Sequence, residues 1–210
     1  MWQSRRYAAV TASIALAMGA AARPVVGVDR AAPGGDAGSD VVVTQLDGAR
    51  SRVGFSVRVM WLLRISGHFG AVRGNVRLDR FRNQIRVDAQ IDANTVSMNE
   101  PLYEDWVKSA EFFDVARYPY IEFISDAISQ SRLREGGELP GVLILRGIRQ
   151  PVQFTLRRSS CAHRGRDCPI EVTGSIRRST FAMRSRRGTV GDKVTLHFSV
   201  YSAAPEAHSR

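Results

Sequence analysis

The chain has 210 residues, of which 44% are hydrophobic and 24% are charged, and its formal net charge is +10. This length fits one globular domain with extensions and leaves little room for two. The 30 basic residues include only two lysines and are scattered, with no basic helix interleaved with aromatic residues. We therefore predict no nucleic-acid binding, although a basic surface suits peripheral contact with an anionic membrane.

The first residues predict a signal for export. Arg5 and Arg6 precede an apolar run, residues 8–22, which ends in three small residues that suit cleavage after Ala22. The run is shorter than the roughly 20 residues that a membrane-spanning helix needs. We therefore expect a cleavable signal peptide at residues 1–22 and a periplasmic location.

The export route and the start of the folded domain follow from the next segments. Ser4-Arg5-Arg6 also resembles the start of a twin-arginine signal, so general secretory and twin-arginine export both remain open. Residues 23–40 are rich in Gly, Ala, Pro and Asp and have little apolar patterning, which predicts a flexible leader. The folded domain is expected at residues 41–204.

From Val41 onward apolar and polar residues alternate in segments of strand length. The clearest strand covers residues 85–91, and about eight such segments follow one another. Strands with one apolar face must bury that face, so the sequence predicts a mainly β fold, either a sandwich or a closed barrel. Two interruptions look helical, residues 60–64 and a short insert near residues 100–112.

The only two cysteines, Cys161 and Cys168, stand at the ends of a polar segment that reads as a loop. In an oxidising compartment they would form a disulfide. A metal pair or a redox pair is the alternative, but zinc would need further ligands and redox pairs usually have two intervening residues. We favour the structural disulfide.

Catalytic motifs are not found in the sequence. There is no nucleophile elbow, phosphate-binding loop, metalloprotease helix or dinucleotide fingerprint. We therefore expect no catalytic residues, no metal and no cofactor, and a protein that is not an enzyme. The alternative is a lipid- or quinone-modifying enzyme that uses His68 or a carboxylate of the insert as its base.

Four blocks in the chain resemble the YceI family of bacterial periplasmic proteins. Residues 51–57 resemble its first strand, and residues 67–76 resemble the hairpin that follows. The most specific block is K-S-x-D-F-F-D…Y-P-x-I-x-F, which matches residues 108–123. Residues 141–152 match G-x-L-T-L-x-G…P-V. Together the resemblance covers residues 41–202.

The chain departs from this family at two positions. The family's R-x-D-F-G-M block begins here at Arg178, but Thr180 and Ala182 replace its Asp and Gly. The family's R-D near the start of the insert is Tyr103-Glu104. Both changes are expected to alter the mouth of the barrel and the head group that it prefers.

The resemblance implies a lipocalin-like, eight-stranded antiparallel β-barrel whose lumen binds a polyisoprenoid or another long apolar lipid of quinone or polyprenyl type. A ligand-free envelope interaction protein, with the lumen filled by side chains, is a further alternative, and a homodimer is an open expectation. Trp106, Phe112 and Phe113 would form a lid, and Arg178 would pair with an anionic head group at the mouth. The side chains expected to face the lumen are Val53, Phe55, Val57, Phe69, Ile85, Val87, Ile91, Phe123, Leu143, Leu145, Phe154, Ile176, Leu196 and Phe198.

Overall fold

The computed structural model describes residues 40–70 and 72–203. The expected signal peptide at residues 1–22 lies outside the described residues, and so does the expected leader apart from Asp40. Ala204, the last residue of the expected domain, also lies outside them. Within the described part, no helix has the length and apolar character that crossing a membrane requires.

Twelve β-strands dominate the described chain, and its helices are short. The strands are β1 (Val41–Gln45), β2 (Arg52–Val59), β3 (Leu63–Phe69), β4 (Val72–Asp79), β5 (Gln84–Asp92), β6 (Val96–Met98), β7 (Tyr120–Ser125), β8 (Ile128–Ser129), β9 (Gly137–Leu145), β10 (Ile148–Leu156), β11 (Ile170–Arg177) and β12 (Val190–Val200). The helices are α1 (Glu104–Lys108), α2 (Arg132–Glu135) and the 3₁₀ turns Ala93–Thr95, Pro101–Tyr103 and Arg178–Phe181.

The strands pair in the order β1-β4-β5-β7-β9-β10-β11-β12-β2-β3-β6, and β8 adds to β5. Every pairing between strands is antiparallel. Only residues 70 and 71 separate β3 from β4, and β3 pairs with β2 whereas β4 pairs with β5. Strand pairing therefore continues around a closed ring through this bent strand.

The prediction of an antiparallel β-barrel is confirmed, and its count of eight strands is approximate. The twelve segments reduce to eight positions around the ring if β3–β4 and β5–β6 each count as one bent strand and β1 and β8 as additions. Eight strands enclose an interior about wide enough for side chains or one slender ligand. The ring therefore positions a candidate ligand site along its axis.

The apolar face of each strand points into the ring, as the alternation predicts. Strand β9 shows this most simply, because Leu139, Leu143 and Leu145 are buried whereas Glu138 is exposed. Phe154 is among the most buried large side chains. Its ring occupies the place where a Cβ on Gly174 of the neighbouring strand would stand, at 2.3 Å from the ring carbon Cδ1. A side chain at position 174 would therefore displace Phe154 from the core.

The helical interpretation of residues 60–64 is wrong. Residues 60–62 form the turn between β2 and β3, and Leu63 and Arg64 already belong to β3. Met60 and Trp61 have φ values of 48° and 65°, which a tight hairpin turn between twisted strands requires. Turns of this kind usually carry Asn or Gly. Because this segment is apolar, its sequence did not indicate a hairpin turn.

The helical insert near residues 100–112 is present but shorter than expected. A 3₁₀ turn, Pro101–Tyr103, leads into α1, which ends at Lys108 because Ser109 is extended with φ −65° and ψ 170°. The following residues form turns that fold back onto α1, where Phe113 N–H donates to the Val107 carbonyl oxygen at 3.0 Å. The insert therefore returns its aromatic residues to the barrel.

The disulfide between Cys161 and Cys168 is present and closes the loop between β10 and β11. The predicted pairing of the two cysteines is therefore confirmed, and its structural role stays a prediction. Within the described residues, no group of three or more His, Cys, Asp or Glu could hold a metal ion.

Candidate ligand cavity and its lid

An apolar cavity of about 180 Å³ lies inside the ring. Its wall comes from strands on every side of the barrel, from the end near Val200 to the end near Trp106. The side chains expected to face the lumen all line it: Val53, Phe55, Val57, Phe69, Ile85, Val87, Ile91, Phe123, Leu143, Leu145, Phe154, Ile176, Leu196 and Phe198. Their contact with a ligand stays a prediction.

The size and chemistry of the cavity restrict what can occupy it. An apolar cavity of about 150 Å³ stays dry and admits a molecule as small as benzene. Pockets for drug-sized ligands typically measure about 300–1,000 Å³. A cavity of about 180 Å³ therefore suits a slender apolar chain, and a longer ligand requires the lid or wall side chains to move.

Sequence reasoning missed about half of the cavity wall. Ala89, Ile121 and Val172 line it and follow the same alternation as the residues predicted, so the pattern could have found them. Tyr103 and Met183 also line it, but they lie outside strands and carry no periodic signal. Residues of this second kind come from the segments that close the mouth.

The three residues predicted to form a lid, Trp106, Phe112 and Phe113, all line the cavity, and we keep the name lid for them. The Trp106 and Phe112 rings meet edge to face with centroids 4.6 Å apart. Phe113 packs against two barrel side chains that also contact each other, with ring centroids 5.7 Å from Phe55 and 5.5 Å from Phe69. The lid thus continues the barrel core at one end of the ring, which we call the mouth.

Polar contacts fasten the lid to the barrel. The Trp106 indole N–H donates to Glu111 Oε2 at 2.8 Å. Arg146, in the turn between β9 and β10, donates through Nη1 to the Phe112 carbonyl oxygen at 2.6 Å. Its Nη2 also lies 3.9 Å from Asp114 Oδ2. The first of these bonds lies within the insert, and the contacts of Arg146 link the insert to the turn between β9 and β10.

Glu104 ties the start of the insert to β6. Its Oε1 accepts from the Ser97 hydroxyl at 2.8 Å and from the Met98 N–H at 3.2 Å. The Ser97 hydrogen bond, followed by the Met98 N–H, lowers the pKa of the Glu104 carboxyl below its usual value. Glu104 thus links the insert to β6 through one carboxylate oxygen.

Arg178 is 2% exposed and lines the cavity at the mouth. Its guanidinium donates to three backbone carbonyl oxygens, those of Met183 at 2.6 Å, Val190 at 2.9 Å and Gly191 at 3.0 Å. The group also lies over the Phe112 ring, 5.8 Å from its centroid. Most of its donors are thus used by the fold, and pairing with a head group stays a prediction.

The carboxylate of Asp192 partly offsets the positive charge of Arg178. Burial lowers the pKa of its guanidinium, and the Asp192 carboxylate opposes that effect. Burial by itself would raise the pKa of Asp192, but hydrogen bonds from the Ser179 N–H and hydroxyl, both 2.9 Å, lower it overall. The mouth therefore holds one buried positive charge close to an otherwise apolar lumen.

The residues considered as an acid or base do not reach the cavity. His68 lies on β3 with its side chain exposed. Within the described residues, no histidine, carboxylate or thiol lines the cavity wall. The carboxylates of the insert that lie outside the wall are Glu100, Glu104, Asp105, Glu111 and Asp114.

Comparison with known proteins places these features in a family. The YceI-like domain matches residues 45–201. Protein YceI of Salmonella arizonae and that of Salmonella heidelberg are each 26% identical over 160 residues, which cover 73% of this chain and 82% of each relative.

Solved structures share the fold at lower identity. BcnA of Burkholderia cenocepacia superposes with a TM-score of 0.63 at 21% identity and covers 76% of this chain and 99% of its own. A polyisoprenoid binding domain from Saccharophagus degradans gives 0.56 at 15% identity, covering 77% and 98%. A YCEI protein of Campylobacter jejuni gives 0.53 at 19% identity, covering 66% and 85%. The chain belongs to the YceI-like domain family.

Proposed function

We propose that this protein is a periplasmic carrier that holds a polyisoprenoid or another long apolar lipid, of quinone or polyprenyl type, in the barrel lumen. The observation that carries the proposal is the apolar cavity inside a closed barrel, which is closed at the mouth by a side-chain lid. The neighbouring polyisoprenoid binding domain from Saccharophagus degradans supports the choice of ligand class.

The energetics of burial favour a long apolar chain. Each buried CH₂ contributes about 0.8 kcal/mol, so a few isoprene units supply the roughly 8 kcal/mol of a micromolar complex after association costs. The cavity of about 180 Å³ holds only part of such a chain in the closed state. Displacement of Phe113 from its contacts with Phe55 and Phe69 would open the lumen toward the mouth.

The proposal is a binding function without catalysis. The described cavity wall offers no histidine or carboxylate that could move a proton at a bound ligand. Export to the periplasm is part of the proposal and rests on residues 1–22. Peripheral contact with an anionic membrane is compatible with this proposal, and so is homodimer formation.

Binding is tested with a variant that fills the lumen. Ala89 lies on β5 and lines the cavity, so Ala89→Phe places an aromatic ring in the ligand space. Thr155→Phe on β10 is the matched control, because Thr155 is exposed and its new ring would point to solvent. Ala89→Leu is a smaller change, which keeps the test usable if the larger side chain impairs folding.

The measurement is the quenching of intrinsic fluorescence by a short-chain ubiquinone and the displacement of that quinone by geranylgeraniol. We expect wild type and Thr155→Phe to bind both, and Ala89→Phe to bind at least about tenfold more weakly. Ala89→Leu should fall between them. No uptake by the wild type, or equal uptake by Ala89→Phe and Thr155→Phe, would overturn the proposal.

A further inference from the structure

The turn between β2 and β3 displays an apolar tip, which we define as residues 60–63. Trp61 is 84% exposed and Leu62 is 92% exposed, and Met60 and Leu63 are 61% and 62% exposed. Large apolar side chains that are exposed together mark an interaction surface more often than single ones do. The tip is therefore a candidate contact site outside the lumen.

The backbone holds this tip in place. Positive φ values at Met60 and Trp61 set the turn. The Met60 N–H donates to the Thr189 carbonyl oxygen at 2.7 Å, and Val59 pairs with Val190 of β12. The tip is thus anchored to a neighbouring strand and presents its side chains outward without first having to fold.

Arginines surround the apolar tip. Arg58 and Arg64 occupy directly opposed positions on β2 and β3, and both are exposed. Neither makes an ion pair with any described residue. Like charges that face each other across a strand pair are destabilising, and an external anion between them would relieve that cost. Arg184 and Arg187 are also exposed, in the loop that leads to Thr189.

The tip lies at the mouth of the barrel. The loop before β12 contacts both the tip and the lid, because Thr189 bonds to Met60 and the Arg186 guanidinium lies 5.6 Å from the centroid of the Trp106 ring. Arg178 bonds to Val190, the partner of Val59. A surface that the tip touches therefore lies next to the lid.

An exposed Trp and Leu with flanking arginines fits the boundary between lipid head groups and acyl chains. Trp is enriched at that boundary, and each Lys or Arg near an anionic bilayer contributes about 1 kcal/mol. A second copy of the chain fits less well, since a two-fold contact through the tip would bring the same arginines against one another. The arginines that flank the tip therefore favour an anionic bilayer as its partner.

We propose that residues 60–63, with Arg58 and Arg64, form a docking surface that inserts into an anionic phospholipid bilayer and places the mouth of the barrel against it. Docking itself is independent of what the lumen holds. Passage of a lipid between the bilayer and the lumen rests on the proposed function. The exposed side chain of Leu102 in the insert, also at the mouth, would add to the inserted area.

The experiment measures flotation of the full chain with vesicles of phosphatidylcholine alone and of phosphatidylcholine mixed with phosphatidylglycerol, without added isoprenoid. The tip variant is Trp61→Ser with Leu62→Ser, and the charge variant is Arg58→Gln with Arg64→Gln. The matched control is Phe81→Ser. Phe81 is 83% exposed between Arg80 and Arg82, but it lies in the β4–β5 turn at the other end of the bent strand that begins at Leu63.

We expect wild type and Phe81→Ser to bind the anionic vesicles equally. The tip variant should lose at least about tenfold in binding, since burial of one large apolar side chain contributes about 1.5–3 kcal/mol. The charge variant should lose about tenfold on anionic vesicles only. Quenching by acyl-brominated lipids should include a component that Trp61→Phe removes.

Three results would overturn the docking proposal. They are wild-type binding by the tip variant, an equal loss in Phe81→Ser, and a tip variant that changes only the oligomeric state in sedimentation, which would identify a second copy as the occupant. Polyprenyl uptake by the wild type, measured separately, distinguishes the two proposals. Polyprenyl uptake without vesicle binding would contradict only the docking proposal. Vesicle binding without polyprenyl uptake would contradict only the proposed carrier function.

Discussion

The Arg178 guanidinium donates through Nη1 to the carbonyl oxygen of Met183 at 2.6 Å and so joins the two ends of the segment that closes the mouth. Its other bonds reach Val190 and Gly191 at the start of β12. One buried side chain therefore connects the 3₁₀ turn Arg178–Phe181 to the strand that supports the apolar tip. The position of this segment depends on the fork shape of a guanidinium, which supplies donors in three directions.

Arg178→Lys should destabilise the fold although it preserves the charge. A lysine cannot reach three carbonyl oxygens in these directions, and each buried acceptor left unpaired costs about 1–3 kcal/mol. We expect the free energy of unfolding in urea to fall by about 3 kcal/mol. Arg177→Lys is the control, because Arg177 is exposed, and it should change stability little. Equal effects of the two substitutions would show that the carbonyl bonds contribute nothing.

Ala182→Gly should stabilise the protein. Ala182 has φ 58° and ψ 16°, a left-handed conformation that costs an L-residue roughly 1 kcal/mol and costs glycine almost nothing. The free energy of unfolding should therefore rise by about 1 kcal/mol. Ala116→Gly, at an exposed position outside the residues of positive φ, should not raise it. A gain of the same size at both positions would rule out this explanation.

The contact of Glu104 with β6 should make the attachment of the insert dependent on pH. The folded-state pKa of Glu104 lies below its ordinary value of 4.5, so the carboxylate stabilises the folded state fully above that value. This contribution is lost as the pH falls through the lowered pKa. We expect the amide protection factors at Met98 and in α1, which are corrected for the intrinsic pH dependence of exchange, to fall on acidification from neutral pH to below 4.5.

Glu104→Gln separates this contact from general acid effects. The amide can still accept a hydrogen bond but carries no charge and does not titrate over this range. The protection factors in α1 should then be lower than in wild type at neutral pH and should change less on acidification. An unchanged pH profile in Glu104→Gln would assign the effect to other carboxylates.

The disulfide should contribute to stability without affecting ligand binding. It closes the loop that follows β10. Because β10 begins beside Arg146, which bonds to the lid, this loop lies at the end of the barrel opposite the mouth. Cys161→Ser with Cys168→Ser should lower the free energy of unfolding by about 2 kcal/mol. Polyprenyl binding by the folded double variant should stay within about twofold of wild type. A large loss of binding would show that the loop and the lumen are coupled.

The barrel and the inward side chains could be predicted because they depend on a period of two. In β5, for example, Ile85 and Ile91 are both buried and Arg86 is exposed, as the alternation requires. The closure of the ring was less visible, because it depends on the pairing of β6 with β3, and β6 is only three residues long.

The mouth was the hardest part to predict because its structure depends on single contacts. Arg178 appeared as a head-group partner from its place in a family block, but its hydrogen bonds go to backbone carbonyls that no sequence pattern identifies. Residues 60–64 appeared helical because they form a short apolar segment that interrupts the alternation of the strands. Residue propensity and hydrophobic periodicity predict neither the hydrogen bonds of Arg178 to three carbonyl oxygens nor a turn whose apolar side chains are exposed.

The most direct test of the carrier function is native mass spectrometry of the protein purified from the periplasm of an expressing bacterium. We predict a one-to-one complex of the wild type with an isoprenoid lipid, which organic extraction removes and added polyprenyl ligand restores. Ala89→Phe, which fills the lumen, should be recovered without lipid and should take up none. Wild-type protein that carries no lipid and takes up no polyprenyl ligand, or a complex that Ala89→Phe retains, would contradict a ligand-holding lumen.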